Sequence, residues 1–399
     1  MTRRVSDPAT ALEVLLVDPS LFTAPYDAAL TRGLQAVGVK PVWATRPTRP
    51  GDLQEIPLDC TDAFFYRHVD RAAWIPAPLR PAVKGLAHTR GLVQLVWRAL
   101  RRRPDVVHFQ WIVVPPLDVL ALAVLRLVRP LVLTVHDTVP FNGQRMGLLQ
   151  RLGHGVPLRL AHRLIVHTRS GRQALLAQGV PEAKIVLIPH GPLRLNVPMA
   201  APTGPRDPRW TFVLFGEIKP YKGLDLLIEA VAALAPAQRN ALRIIVAGRP
   251  RMDVAPLVER IATLGLAAQF DLRLARQSEP EMARLFGEAD CFVFPYRQVD
   301  ASGVYFLVKS LGAWLIASRV GVFAEDMRPG IDGELVDCGD VAGLSAALAT
   351  AIARRPRREP IAAFDSWVAI GRQTRELYLG LLPAAARATG VSAAAPEGE

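Results

Sequence analysis

Short runs of Val, Ile and Leu alternate along the chain with segments that repeat apolar residues every three or four positions. The runs predict strands at 13–17, 39–43, 106–109, 131–135, 163–166 and 185–188. A second set is predicted at 211–215, 242–247, 270–274, 291–294 and 314–317. Helical spacing covers 29–37, 170–178, 224–235 and 279–287, and a last helix is expected at 364–382. The strands are continuously apolar rather than alternating, which is the pattern of a parallel sheet covered on both faces. The fold class is therefore α/β. The most apolar long stretch, 117–135, is broken by Arg126, Arg129 and Pro130. A membrane span needs about 20 nearly uninterrupted apolar residues, so a buried helix followed by a buried strand is expected there, and no segment is expected to span a membrane.

The periodicity fails between Asn196 and Arg209, where four prolines sit in a short polar stretch. That composition marks a linker. The expected organisation is an N-terminal domain at 1–195, a linker at 196–209 and a second domain at 210–363. The helix at 364–382 could cross back to the first domain, and a disordered tail is expected at 383–399. Two doubly wound, Rossmann-like domains then face a cleft, and chemistry is sought in the loops at the carboxyl ends of their strands.

Composition changes this picture little. Half of the 399 residues are hydrophobic and 21% are charged, as in a packed globular protein. The three cysteines, Cys60, Cys291 and Cys338, have no CxxC spacing and suit a reduced cytoplasmic compartment. The run 14–17 is too short for a signal peptide. The net charge of +12 points to an anionic partner. Part of it clusters at Arg80, Lys84, Arg90, Arg98 and 101–103, around Leu86, Leu92, Val93, Leu95, Val96, Trp97 and Leu100. Such a helix suits an anionic membrane surface, such as the inner face of the plasma membrane, or an ordinary solvated face. No zinc-finger or RNP-type pattern accompanies the charge, so nucleic acid is not expected as a partner.

Two loops carry candidate chemistry. After strand 211–215 the chain reads Gly216-Glu217-Ile218-Lys219-Pro220-Tyr221-Lys222-Gly223, and a helix opens directly. Glycines allow close backbone approach, the helix start offers free N–H groups, and two lysines add charge, which together suit a phosphate. After strand 291–294, Pro295-Tyr296-Arg297 leads to Ser302-Gly303-Val304 at another helix start; alone, that pair is simply a good cap. In the first domain His136 and Asp137 follow the strand 131–135. A lone histidine there is more often structural.

The motifs fall in an order. Phe-Gly-x-Ile-Lys-Pro-Tyr-Lys-Gly-Leu is followed by Ala-Gly, by Pro-Tyr-Arg-x4-Ser-Gly-Val, by Gly-x-x-Leu-Ile-Ala-Ser and by Gly-x-x-x-Glu. In the first half stand Asp-Val-Val-His108-Phe, Thr-Val-His136-Asp137, His167-Thr-x-Ser and Ile-Pro-His190-Gly191. This set resembles the GT-B glycosyltransferases, and within them family 4, the retaining "group 1" enzymes of a bacterial polysaccharide-type branch. The resemblance implies that Lys222 and Lys219 grip the diphosphate of a UDP- or GDP-sugar co-substrate without a metal or other cofactor. It places Gly216, Tyr296, Arg297, Ser302, Gly303, Val304 and Glu325 around the donor, with Arg249 near the base. It puts His136 beside the reacting sugar and Asp137 next to it. His190 serves as a hinge or a donor-side contact, and the loop ending at Tyr26 faces the acceptor.

Departures from the family are visible. Val299 and Leu307 stand where two glutamates are usual, so Asp300 is the acid left for a ribose contact; Trp314 replaces a proline, and Glu217 replaces an arginine. The first loop lacks a glycine pair. The expected function is a retaining hexosyl transfer to a saccharide or lipid-linked saccharide. Domain closure would bring His136 to the donor and exclude water. A non-catalytic GT-B subunit and a nucleotide-sugar 2-epimerase are the alternatives.

Overall fold

The computed structural model describes residues 11–49, 52–67, 69, 76–138, 155–199, 207–357 and 366–383. The chain forms two compact units. Among the described residues, the first comprises 11–138, 155–191 and 366–383, and the second 192–357. Part of the expected linker (200–206) and nearly all of the expected tail (384–399) lie outside the described residues.

The first unit holds β1 (Leu12–Asp18), β2 (Val39–Thr45), β3 (Thr61–Ala63), β4 (Val106–Phe109), β5 (Leu131–Thr134), β6 (Arg163–Val166) and β7 (Ile185–Leu187). They form one parallel sheet in the order β3-β2-β1-β4-β5-β6-β7. The helices are α1 (Ala24–Ala36), α2 (Arg80–Arg102), α3 (Pro115–Val128), α4 (Val156–Leu160) and α5 (Arg169–Ala177). β4 and β5 are buried at every position, as expected for strands covered on both faces.

The second unit repeats the plan. Its strands are β8 (Trp210–Phe215), β9 (Leu242–Ala247), β10 (Phe270–Arg273), β11 (Cys291–Phe294), β12 (Trp314–Ser318) and β13 (Gly333–Val336). The parallel order is β10-β9-β8-β11-β12-β13. Helices α6 (Leu224–Ala232), α7 (Pro236–Asn240), α8 (Ala255–Thr263), α9 (Glu279–Glu288), α10 (Gly303–Lys309), α11 (Gly321–Asp326) and α12 (Val341–Arg354) join them. In both sheets the order reverses beside the first strand, between β1 and β4 and between β8 and β11. Doubly wound sheets bind ligands at that switch point, beyond the carboxyl ends of the strands.

A last helix, α13 (Trp367–Leu381), packs against α1 in the first unit. The crossing is backbone to backbone. A Cβ on Gly33 would lie 2.1 Å from the Trp367 carbonyl oxygen, and one on Gly371 would lie 2.3 Å from that of Gly33.

Two strands had no counterpart in the hydrophobic pattern. β3 is three half-buried residues around Asp62, and β13 is four residues opening on Gly333, so neither makes an apolar run. The helix expected to be buried at 117–128 is buried on one face only. Leu120 is 67% exposed and Leu127 is 85% exposed. No helix among the described residues is long and apolar enough to cross a membrane.

Candidate functional site

In the second unit, β8 ends at Phe215 and the chain turns at Gly216, whose φ of +100° is left-handed territory. A short 3-10 turn, Pro220–Lys222, then returns Lys222 to the strand end, where its Nζ donates to the Phe215 carbonyl at 3.2 Å. A Cβ at Gly216 would stand 2.7 Å from that Nζ and 3.2 Å from a methyl of Val304. Glycine at 216 is thus what admits the lysine. A Cβ on Gly223 (φ +70°) would come still closer, 2.0 Å from the Pro295 carbonyl oxygen, and one on Gly248 2.1 Å from that of Gly216. The loops after β8, β9 and β11 therefore meet through backbone contacts that only glycine permits.

Lys222 is 6% exposed. Burial pushes its pKa down to about 7, the neighbouring Lys219 charge adds to the fall, and Glu217 opposes it. The Tyr296 ring lies 5.4 Å from Nζ and is itself buried. Lys219 pairs with Glu217 at 3.2 Å, and Arg251 binds the same carboxylate. Glu217, the acid that stands where relatives carry an arginine, is therefore neutralised by two cations.

The remaining expected residues divide. Ser302 caps α10, accepting from the Tyr305 N–H at 3.4 Å. The half-buried Asp300 lends its carbonyl to the Val322 N–H at 3.0 Å. Arg297 is engaged elsewhere: its guanidinium forks onto Asp225 and donates to the Pro220 carbonyl at 3.1 Å, fastening the lysine loop from outside. Arg249 and Glu325 are exposed. The acid facing inward on α11 is the next residue, Asp326, which accepts from the Tyr305 hydroxyl at 2.7 Å and from the buried Lys309 at 2.6 Å. No motif singled out this trio; the i,i+4 spacing of Tyr305 and Lys309 on one short helix was the available signal.

In the first unit four histidines come from four successive strand ends: His108 in β4, His136 after β5, His167 after β6 and His190 after β7. A parallel sheet brings such positions into line. Tyr26 sits among them, its ring 5.0 Å from His136, 5.3 Å from His167 and 5.0 Å from His190. It is 4% exposed, so the residue expected to face an acceptor instead forms the floor of the cluster. His136 keeps part of its surface open and stacks on Trp111 at 5.0 Å and 13°. Asp137, beside it, is half-buried. His190 is buried, with its Nδ1–H on the Gly191 carbonyl at 2.6 Å.

All four imidazoles are uncharged at neutral pH. Burial, with the neighbouring His167, lowers His108 and His190 to about 3; burial lowers His167 to about 4. Burial together with the other three pushes His136 well below its usual value. Beside them the fully buried Asp18 accepts from the N–H groups of Ser20 (3.1 Å) and Thr23 (3.3 Å), which holds the loop after β1. That loop's Thr23 hydroxyl receives the Trp111 indole N–H at 3.0 Å.

Two family models match the chain. Glycosyltransferase Family 4 covers residues 28–191, and Glycosyl transferases group 1 covers residues 209–354. The chain is 31% identical over 155 residues to the D-inositol 3-phosphate glycosyltransferase of Mycobacterium sp. (strain KMS), a match covering 38% of this chain and 34% of that protein. The chain thus matches about a third of the length of that relative. The enzyme of the same name from Thermobispora bispora is 25% identical over 82% of this chain and 81% of its own. Among solved structures, Anabaena HepE in complex with UDP and glucose aligns with a TM-score of 0.63 at 16% identity, over 95% of this chain and 97% of that one. With two sheets of one doubly wound order and a matching model for each half, the chain belongs to the GT-B glycosyltransferases of the family 4, group 1 type.

Proposed function

We propose that the protein is a retaining glycosyltransferase that moves a hexosyl group from a UDP- or GDP-sugar to a saccharide or lipid-linked saccharide, in polysaccharide or glycoconjugate synthesis. Lys222 carries this reading. A buried lysine with a pKa near 7 sits at the switch point of the second unit, behind a glycine that leaves room for nothing larger. In the transfer, the bond from the sugar's anomeric carbon to the diphosphate breaks and its electron pair stays on the leaving oxygen. The acceptor's hydroxyl oxygen forms the new bond and gives up its proton. A cation aimed at the leaving oxygen stabilises the charge that grows there. Lys222 supplies that cation from the protein itself, so EDTA should leave the rate unchanged. The uncharged His136 would hydrogen-bond the sugar being moved. HepE, which shares the fold, was crystallised with UDP and glucose.

The test is a panel of UDP- and GDP-sugars scored for binding and transfer. Lys222→Ala should lower transfer by about 100-fold or more, the scale of one lost oxyanion donor. Full binding and turnover in that variant would defeat the donor-site assignment. Full transfer by His136→Ala would remove His136 from the active site. NMR of the product's anomeric centre decides between retention and inversion.

A membrane-side acceptor is supported by α2 and α3, which pack together. Leu86 (73% exposed), Val93, Trp97 and Leu100 line one outward stripe of α2 with Arg90 and Arg101, and Leu120, Val124 and Leu127 line one of α3. No acid lies on α2. An apolar stripe bordered by cations suits an anionic lipid surface.

A further inference from the structure

A chain of hydrogen bonds runs from α13 to the open histidine of the first unit. The Tyr378 hydroxyl is 2.6 Å from His108 Nδ1, and the Thr134 hydroxyl is 2.7 Å from His108 Nε2. The Gln110 amide nitrogen lies 3.3 Å from the same Nε2, and its oxygen lies 3.1 Å from His136 Nε2. Tyr378, His108, Gln110 and Thr134 are all buried. We infer that the Tyr378 hydroxyl, by accepting the His108 Nδ1–H, lets Gln110 hold the proton of His136 on Nε2, and so is a positioning residue for the candidate site. Its effect on sugar transfer rests on the role proposed for His136; its effect on the proton does not.

The argument is one of donors and acceptors. A neutral imidazole has one of each, and an amide has a donating nitrogen and an accepting oxygen. With the Gln110 nitrogen toward His108, Nε2 of His108 is the acceptor, its one lone pair facing the Thr134 hydroxyl at 2.7 Å and the more distant Gln110 N–H at 3.3 Å, and its Nδ1–H donates to the Tyr378 hydroxyl. The Gln110 oxygen then accepts from His136 Nε2–H, which leaves His136 Nδ1 as a bare lone pair. That nitrogen can accept a sugar hydroxyl's proton. Turning the amide end for end reverses every step: His108 would donate from Nε2 to Thr134, and His136 would hold its proton on Nδ1 and could only donate there. Mixed states are disfavoured, because each puts two donors or two acceptors face to face in a buried place. His167 and His190 lie outside this chain, since their Nδ1–H groups donate to the carbonyls of Ile188 (2.9 Å) and Gly191 (2.6 Å).

Tyr378→Phe keeps the ring and removes the hydroxyl, the group that accepts the His108 Nδ1–H in the first arrangement and would donate to bare Nδ1 in the second. His108 Nδ1–H would then be buried without a partner, so its proton moves to Nε2, the Gln110 amide turns, and His136 changes to the Nδ1–H form. Gln110→Glu added to this variant restores acceptance at both ends, so His136 returns to Nε2–H. The readout is long-range 15N–1H NMR of imidazole-labelled whole protein at pH 7.5 without substrate, with His167 and His190 as fixed Nδ1–H references. Wild type should show His136 as Nε2–H, Tyr378→Phe as Nδ1–H, and the double variant as Nε2–H again. Finding His136 as Nδ1–H in wild type, or unchanged by Tyr378→Phe, overturns the inference. Should Tyr378→Phe fail to fold, Gln110→Leu breaks the chain at its middle, and His136 should then give a mixture of both forms; retention of pure Nε2–H sinks the idea equally. In transfer assays kcat should fall roughly tenfold or more in Tyr378→Phe, with donor KM held, and recover in the double variant. A tautomer change with kcat intact would count against the role of His136 in transfer and leave the relay standing.

Discussion

Lys222 sits under an environment that opposes its own charge, and that has a measurable consequence at the scale of a single residue. With a pKa near 7 in the free protein, it is largely neutral at pH 8, whereas a bound diphosphate would favour its charged form. Donor or nucleoside diphosphate binding at pH 8 should therefore take up close to one proton. Affinity should fall by roughly tenfold per pH unit above 7, until the bound-state pKa is reached. Below pH 7 the lysine is already protonated and the dependence should flatten. Calorimetry in two buffers of different ionisation enthalpy reads the uptake directly, and a value of zero at pH 8 would show that Lys222 does not meet the diphosphate. Lys222 was legible in the sequence because two glycines, two lysines and a helix start coincide within nine residues. The partner choices were not. Nothing in the chain order says that Arg297 turns to Asp225, that Glu217 draws both Lys219 and Arg251, or that Asp326 rather than Glu325 points inward. Those outcomes depend on which side chains meet across the fold. The four histidines were each visible as motif members, yet the gathering of three of them, His136, His167 and His190, around Tyr26 follows only from strand order.

Elements were legible where they carry an apolar run and illegible where neighbours create them. β1, β4, β9 and β11 follow the hydrophobic pattern closely, whereas β3 and β13 exist because a twisted sheet offers an edge to whatever short segment lies there. The α1–α13 crossing is the clearest case of an element decided by geometry. Gly33 and Gly371 have ordinary helical conformations, and their lack of a Cβ is what lets the two backbones touch. Gly33→Ala should destabilise the first unit by at least about 2 kcal/mol, since the added carbon meets a carbonyl rather than a movable side chain. Gly85→Ala in α2 meets nothing within 4 Å and should stabilise by about 0.5–1 kcal/mol through helix propensity. Urea melts of the two variants test the contrast. Equal midpoints would mean that the crossing is not tightly packed.

For the molecule as a whole, the net charge of +12 and the apolar stripes of α2 and α3 predict binding to anionic vesicles over neutral ones. Arg98 and Arg102 pair with Asp62, at 2.8 and 3.2 Å, so the attraction should come chiefly from Lys84, Arg90, Arg101 and Arg103. Trp97→Glu should weaken vesicle cosedimentation by about tenfold, and raised salt should weaken it further. Indifference to lipid charge, salt and Trp97 would leave the stripe as an ordinary surface. The return of α13 to the first unit matters for how the protein is made. That unit is not a contiguous stretch of chain: residues 192–357 intervene before Trp367 and Tyr378 reach the histidine cluster. At a ribosomal pace of about 5–20 residues per second, the part-built first unit waits roughly 10–40 s after β7 for its last helix. The second unit is completed only late in that interval, yet it can still finish folding first, and until α13 emerges the α1 side chains that it covers stay exposed for a chaperone to hold.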